Sequence, residues 1–259
     1  MKLSKLSIKL FIPILVILAA AAAFAGIRNF SKVPAPPVMP VVLNVTSDKD
    51  QLAILHELST VLHRTDTLTF LTVTGNIQAQ DLADSSQSMA SDFCYSRQGN
   101  IGYYRLGDNE MISLKEAYIM IAHDVKKIFL SPPRQVINPL QMSIDTTTDL
   151  IGKEGYKVTR RERGGLIEIA LQNNTHATCK EYHMFYDSTG FIKQTDMRLT
   201  DQAAMTDKTH DKLLHVKINA WEPGKVRSEL LRIDRYVRLR KGIAEPAPGL
   251  QGYEIIKDR

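Results

Sequence analysis

The sequence predicts an α+β protein built on a single large curved antiparallel sheet, with one or two helices covering its concave face. Three observations carry this reading. Leu52, Leu55, Leu58 and Leu62 recur at helical spacing. After them come short β-branched and aromatic runs. Tight turns such as Gln98-Gly99-Asn100, Gly164-Gly165 and Asp187-Ser188-Thr189-Gly190 separate these runs and join neighbours antiparallel. A sheet of about ten strands either closes into a barrel or needs a cover over its concave face.

Composition bounds the problem first. The chain has 259 residues, 44% hydrophobic and 24% charged, which excludes global disorder. Two cysteines supply neither a disulfide framework nor a four-cysteine zinc site.

The N-terminus reads as an export signal. Lys2, Lys5 and Lys9 precede the uncharged run Leu10–Ala25, which ends in Ala23-Phe24-Ala25, the small-x-small pattern of a cleavage site. The competing reading is an uncleaved anchor, since Leu10–Ile27 is 18 residues without a charge. The preceding lysines send the remainder outward in both cases. The expected location is the periplasm or the outer face of the inner membrane. Without the three leader lysines the net charge falls from +5 to +2, too little to steer partners strongly. The segments expected are 1–25 as signal or anchor, 26–46 as a proline-rich extended linker, and 47–259 as the folded domain.

Ser47 and Asp50 stand in a near capping box, so one amphipathic helix is expected over 48–63. Strands follow from Thr67, with Gly75-Asn76 as a bulge rather than a hairpin because Ile77 continues the run. Further strands are expected at 89–97, 101–106, 118–122 and 125–130, then a short helix at 143–154. Strands resume at 156–161, 166–172, 180–186, 191–199, 213–221 and 228–238, and the tail with Ile255-Ile256 is able to add one edge strand. In the last of these runs Tyr236, Arg238 and Arg240 would share a face, a short basic stripe too small to indicate nucleic-acid binding.

This order of elements resembles the outer-membrane lipoprotein carrier family, the LolA-like fold, over roughly 47–240. The segments that carry the resemblance are Phe70–Ile77, Asp92–Asn100, Tyr103-Tyr104-Arg105 and His123–Phe129. It implies an incomplete β-barrel whose apolar concave face holds acyl chains under a helical lid. No functional residue is carried over. The proline spacer and the C-terminal tail are additions to a minimal carrier. A retained N-terminal helix would rule out shuttling and imply a fixed acceptor.

No Gly-x-Ser-x-Gly, P-loop or Gly-x-Gly-x-x-Gly motif is present, so a non-enzymatic protein without cofactor or metal is expected. His56 and His63 are seven apart, the wrong spacing to share a metal. Cys94 and Cys179 read as buried free thiols, with a disulfide between them as the alternative. The remaining signal is apolar lining. Tyr118–Ile121 and Ile128–Leu130 are apolar on both faces, so one face packs as core and the other meets a lid or ligand, or both are core. The expected lining is Leu55, Phe70, Val73, Ile119, Ile121 and Phe129, with the helix 48–63 as a lid upon it. The expected partner is an apolar or acylated ligand bound by a monomer, with envelope proteins or a membrane surface as further partners and no nucleic acid. The alternative is a protein-binding module of an envelope assembly machine.

Overall fold

The helix expected at 48–63 is present as α1 (Asp48–His63) in the computed structural model, which describes residues 48–134, 154–240 and 243–257. The signal, the proline-rich linker and nearly all of the helix expected at 143–154 lie outside the described residues. The first series of strands is β1 (Phe70–Asp81), β2 (Met89–Gln98), β3 (Ile101–Leu106), β4 (Asn109–Ser113), β5 (Tyr118–Ala122) and β6 (Lys127–Ser131). The second is β7 (Lys157–Arg163), β8 (Leu166–Gln172), β9 (Cys179–Tyr186), β10 (Ile192–Leu199) and β11 (Lys212–Pro223). The tail adds β12 (Val237–Arg240), β13 (Ile243–Pro246) and β14 (Glu254–Lys257).

Each series is an antiparallel meander. β11 pairs with β1 and fuses the two into one sheet of 12 strands, ordered β14-β6-β5-β4-β3-β2-β1-β11-β10-β9-β8-β7. The two ends do not meet, so the sheet is an open, incomplete barrel consistent with the LolA-like fold. β14 is the expected edge strand and joins β6 in parallel. β12 and β13 form a separate pair.

The β1–β11 joint is irregular at the expected Gly75, but the extra residue lies on the partner strand. Thr74 pairs with Ala220 and Gly75 with Ile218, leaving Asn219 as an extra residue on β11. Glycine is required opposite it. A Cβ at Gly75 would lie 2.2 Å from the carbonyl oxygen of Lys217 and 2.5 Å from Cε1 of Phe93.

Side chains alternate between two faces. The inner face carries α1. Leu55, Leu58, Val61 and Leu62 pack on Val158, Ile169, Leu171, Tyr182 and Met184 of β7–β9. Glu57 accepts from Arg160 Nε at 3.0 Å and from the Tyr186 hydroxyl, and Gln51 accepts from the Val158 N–H at 3.1 Å, which ties the helix to edge strand β7. On the outer face, the tail covers β2–β6: Leu231, Tyr236 and Val237 are buried with Cys94, Tyr103, Ile112, Ile119, Ile121 and Ile128. Buried hydroxyls secure the entry to this cover. Thr72 and Ser96 lie 2.9 Å apart, and Ser96 accepts from the Arg227 N–H at 3.0 Å. A third cluster, with Leu71, Val73, Phe93, Tyr95, Tyr104 and Leu106, fills the inner face between β11 and β3.

Three expectations need correction. Residues 228–238 are not one strand. Two 3-10 turns, Ser228–Leu231 and Ile233–Arg235, precede β12, because Leu231 and Tyr236 are turned inward and the Tyr236 hydroxyl bonds the Leu230 carbonyl at 2.7 Å. Tyr236 therefore does not share an exposed face with Arg238 and Arg240. A strand at 109–113, absent from the expectation, links β3 to β5. Finally, α1 packs on β7–β10 and not against Phe70, Val73, Ile119, Ile121 and Phe129, because those residues lie in other clusters or on the opposite face.

Two substitutions test this packing by equilibrium denaturation. Leu55, fully buried, should lose about 2–5 kcal/mol on Leu55→Ala, whereas Leu52, 37% exposed, should lose much less on Leu52→Ala. Gly75→Ala should cost at least about 1–3 kcal/mol, because the clashing carbonyl belongs to a paired strand that cannot move alone. A neutral Gly75→Ala would show that the joint tolerates displacement.

Candidate functional site

Strand register places one apolar row across the inner face. Trp221 pairs with Val73, Val73 with Tyr95, Tyr95 with Tyr104, and Tyr104 with Met111. Met111 pairs with Met120, Met120 with Phe129, and Phe129 with Ile256. At about 4.8 Å per strand, the row runs about 34 Å. Its middle is core: Val73, Tyr95 and Tyr104 are each at most 3% exposed. From β4 outward, Met111, Met120, Phe129 and Ile256 are only half-buried. The outer side of these strands is closed by the tail, so Ile119, Ile121 and Ile128 are core. β5 and β6 thus have two apolar faces with different fates.

Polar groups flank the row. The Tyr104 hydroxyl is buried and has no hydrogen-bond partner among the described residues. Burial pushes its pKa up, so it stays a neutral donor and acceptor. Arg97, two residues from Tyr95, donates from Nη2 to the carbonyls of Thr65 at 2.6 Å and Leu68 at 2.7 Å, fixing the loop between α1 and β1.

The expected lining residues do not converge. Val73 and Phe129 belong to the inner row. Leu55 lies under α1, Ile119 and Ile121 are on the outer face, and Phe70 is 40% exposed with outer-face parity. The expected lining omitted Tyr104, Met111, Met120 and Ile256; the apolar two-sidedness of 118–121 was the signal for Met120, while placing the others required the register. The space between α1, Phe191 and Trp221 is about 10 Å³, too small for a ligand. Among the described residues, a wider groove of about 500 Å³ lies where Gln78, Ala90, Leu213 and His215 meet, and it is open to solvent.

Six of the seven histidines pair with carboxylates, and His56 lies against Thr60. His215 Nδ1 is 2.5 Å from Asp196, His183 Nδ1 is 2.8 Å from Glu168, and His176 Nε2 is 2.8 Å from Glu154. His123 links Glu110 at 2.9 Å to the Tyr253 hydroxyl at 2.8 Å, joining β4 to the tail. Among the described residues no three histidines, cysteines or carboxylates gather as a metal site.

Cys94 and Cys179 are free and buried, and the alternative of a disulfide between them is not realised. They sit on β2 and β9, with β1, β11 and β10 between, and in different core clusters. Burial pushes the Cys179 thiol up to about 12. Burial also raises Cys94, partly offset by Arg227 and Arg105. Both should therefore resist a thiol reagent at pH 8 in the native protein and react fully in denaturant. Rapid native labelling of either would contradict this packing.

No family model matches the chain, and no curated protein matches it in sequence. Among solved structures it is similar to an uncharacterized conserved protein from Thermus thermophilus, at 7% identity and a TM-score of 0.42, over 80% of this chain and 99% of that one. It is similar to a LolA superfamily protein from Nitrosomonas europaea at 8% identity and a TM-score of 0.31, over 68% of this chain and 97% of that one. It is also similar to LprF from Mycobacterium bovis, at 10% identity and a TM-score of 0.35, over 68% and 95%.

Proposed function

We propose that this chain is an exported, non-enzymatic binding protein that holds an acylated or otherwise apolar ligand along the inner face of β4, β5, β6 and β14. One observation carries the reading. Met111, Met120, Phe129 and Ile256 stand in register on adjacent strands, half-buried, on the face that the tail does not cover. An acyl chain needs a long apolar contact and few hydrogen bonds, which such a row provides. Two methionines suit a flexible partner, because an unbranched thioether adapts to irregular apolar shapes. The lysine-rich start and Ala23-Phe24-Ala25 support export to the periplasm or the outer face of the inner membrane.

A second reading, a protein-binding module of an envelope assembly, is favoured by a different observation. The space beside α1 is only about 10 Å³, so the helix sits on solid core and not over a cavity. A half-exposed apolar row above a packed core also suits a partner surface.

Native mass spectrometry after gentle purification separates the two. Co-purified lipid or acyl ligand is expected on the wild type. Met120→Asp should reduce occupancy at least about tenfold, because a carboxylate on the row must be desolvated by the ligand. Melting temperatures of wild type and variant show whether the fold survives. A wild type without apolar ligand, or a folded Met120→Asp that keeps it, would overturn the carrier reading.

A further inference from the structure

We propose that the β12–β13 hairpin is a docking tip for an anionic membrane surface. Val237 and Ala244 face the core, so the hairpin is held rigidly on the outer cover. Arg240 pairs with Ile243 and Arg238 with Glu245, and these four share the opposite, outward face. Ile243 is 64% exposed, more than any other large hydrophobic among the described residues. Beside it, the Arg240 side chain is 79% exposed and reaches Glu245 only at 4.0 Å. An apolar side chain held out among guanidinium groups is the arrangement that interfacial membrane binding uses.

The surrounding charge is as uneven. Residues 225–245 carry seven lysines and arginines against three acids, net +4, whereas 26–259 as a whole nets +2. The rest of that stretch is therefore net negative, and long-range attraction to an anionic surface would present this segment first. Some of these charges are internally paired, as Arg232 is with Asp234 at 2.6 Å, but Arg238 and Arg240 project from the hairpin. Nucleic acid fits less well. The aromatic residue of the run, Tyr236, is 2% exposed and unable to stack on a base. The proposal does not depend on what the inner row binds.

Sedimentation of the full chain with vesicles tests it. One set contains phosphatidylglycerol in phosphatidylcholine, the other phosphatidylcholine alone. Insertion by residues 10–27 would occur in both sets and in every variant, so the quantity read is the salt-sensitive excess on the phosphatidylglycerol vesicles. That excess is expected at low ionic strength and should fall steeply at about 0.5 M salt. The triple variant Arg238→Gln/Arg240→Gln/Ile243→Ser should reduce it at least about tenfold. Arg161→Gln/Arg163→Gln on β7 removes as much charge and should leave it intact. Arg238→Gln/Arg240→Gln with Ile243 retained serves if the triple variant fails to fold, again with a loss of about tenfold or more. No excess for the wild type, an equal loss for the β7 variant, or undiminished binding by a folded hairpin variant would overturn the proposal. So would retention of the chain on an acidic polypeptide or RNA through Arg238 and Arg240 with no preference between the vesicles.

Discussion

The pairing of β1 with β11 is the constraint on which the architecture rests. Each meander is joined internally by short local turns and needs only its neighbours. The two become one sheet through partners more than 130 residues apart, such as Thr72 with Glu222 and Asp81 with Lys212. Asn219, the extra residue in β11, reverses the alternation of the strand beyond it. Trp221 therefore faces inward with Val73, where its indole N–H bonds the Ile192 carbonyl at 2.6 Å and its ring lies 5.2 Å from that of Phe191. Without the bulge Trp221 would fall opposite Thr72 and point outward, and the small Ala220 would take its place opposite Val73. The missing Cβ of Gly75 is the condition for that approach.

The joint also divides the labour between the faces. α1 covers the β7–β10 end of the inner face, and the tail covers the β2–β6 part of the outer face. The covers are thus on opposite sides of the sheet and at opposite ends. Trp221 and Met197 belong to both inner clusters, so the core beneath α1 continues into the core around Val73. The edges are treated separately: Gln51 and the charged side chains of β7 occupy one, and the short parallel strand β14 the other.

Local pattern made much of this legible. Leucine spacing gave α1 its limits, turn residues placed the hairpins, and the glycine inside an apolar strand marked the bulge. Residues 228–238 misled because their apolar residues look strand-like, while burial of Leu231, Tyr236 and Val237 follows no period of two. β4 was hidden by its mixed composition, Asn109-Glu110-Met111-Ile112-Ser113. The site failed for a deeper reason. Alternation states which residues share a face within a strand, but not which face of one strand continues into the next. That depends on register. Ile119 and Ile121 were thus grouped with Phe129 from composition, although the ladder places Phe129 beside Met120 and sends both isoleucines under the tail.

The half-buried apolar row is not an ordinary consequence of a sheet face that no element among the described residues covers. The same molecule contains the comparison. On the outer face of β8–β11, where α1 and the tail cover nothing, Asp196 stands opposite both His183 and His215, and Glu168 lies 2.8 Å from His183 Nδ1. Polar pairs there meet water at little cost and keep the strands in register. On the inner face of β4–β6 the equivalent positions hold Met111, Met120 and Phe129, which gain only part of the hydrophobic stabilisation that full burial would supply. Polar residues at those positions would lose little, since the opposite face already holds the strands through Ile112, Ile119, Ile121 and Ile128. Stability of the sheet alone therefore does not require the row. An apolar partner on that face, as proposed, would account for it.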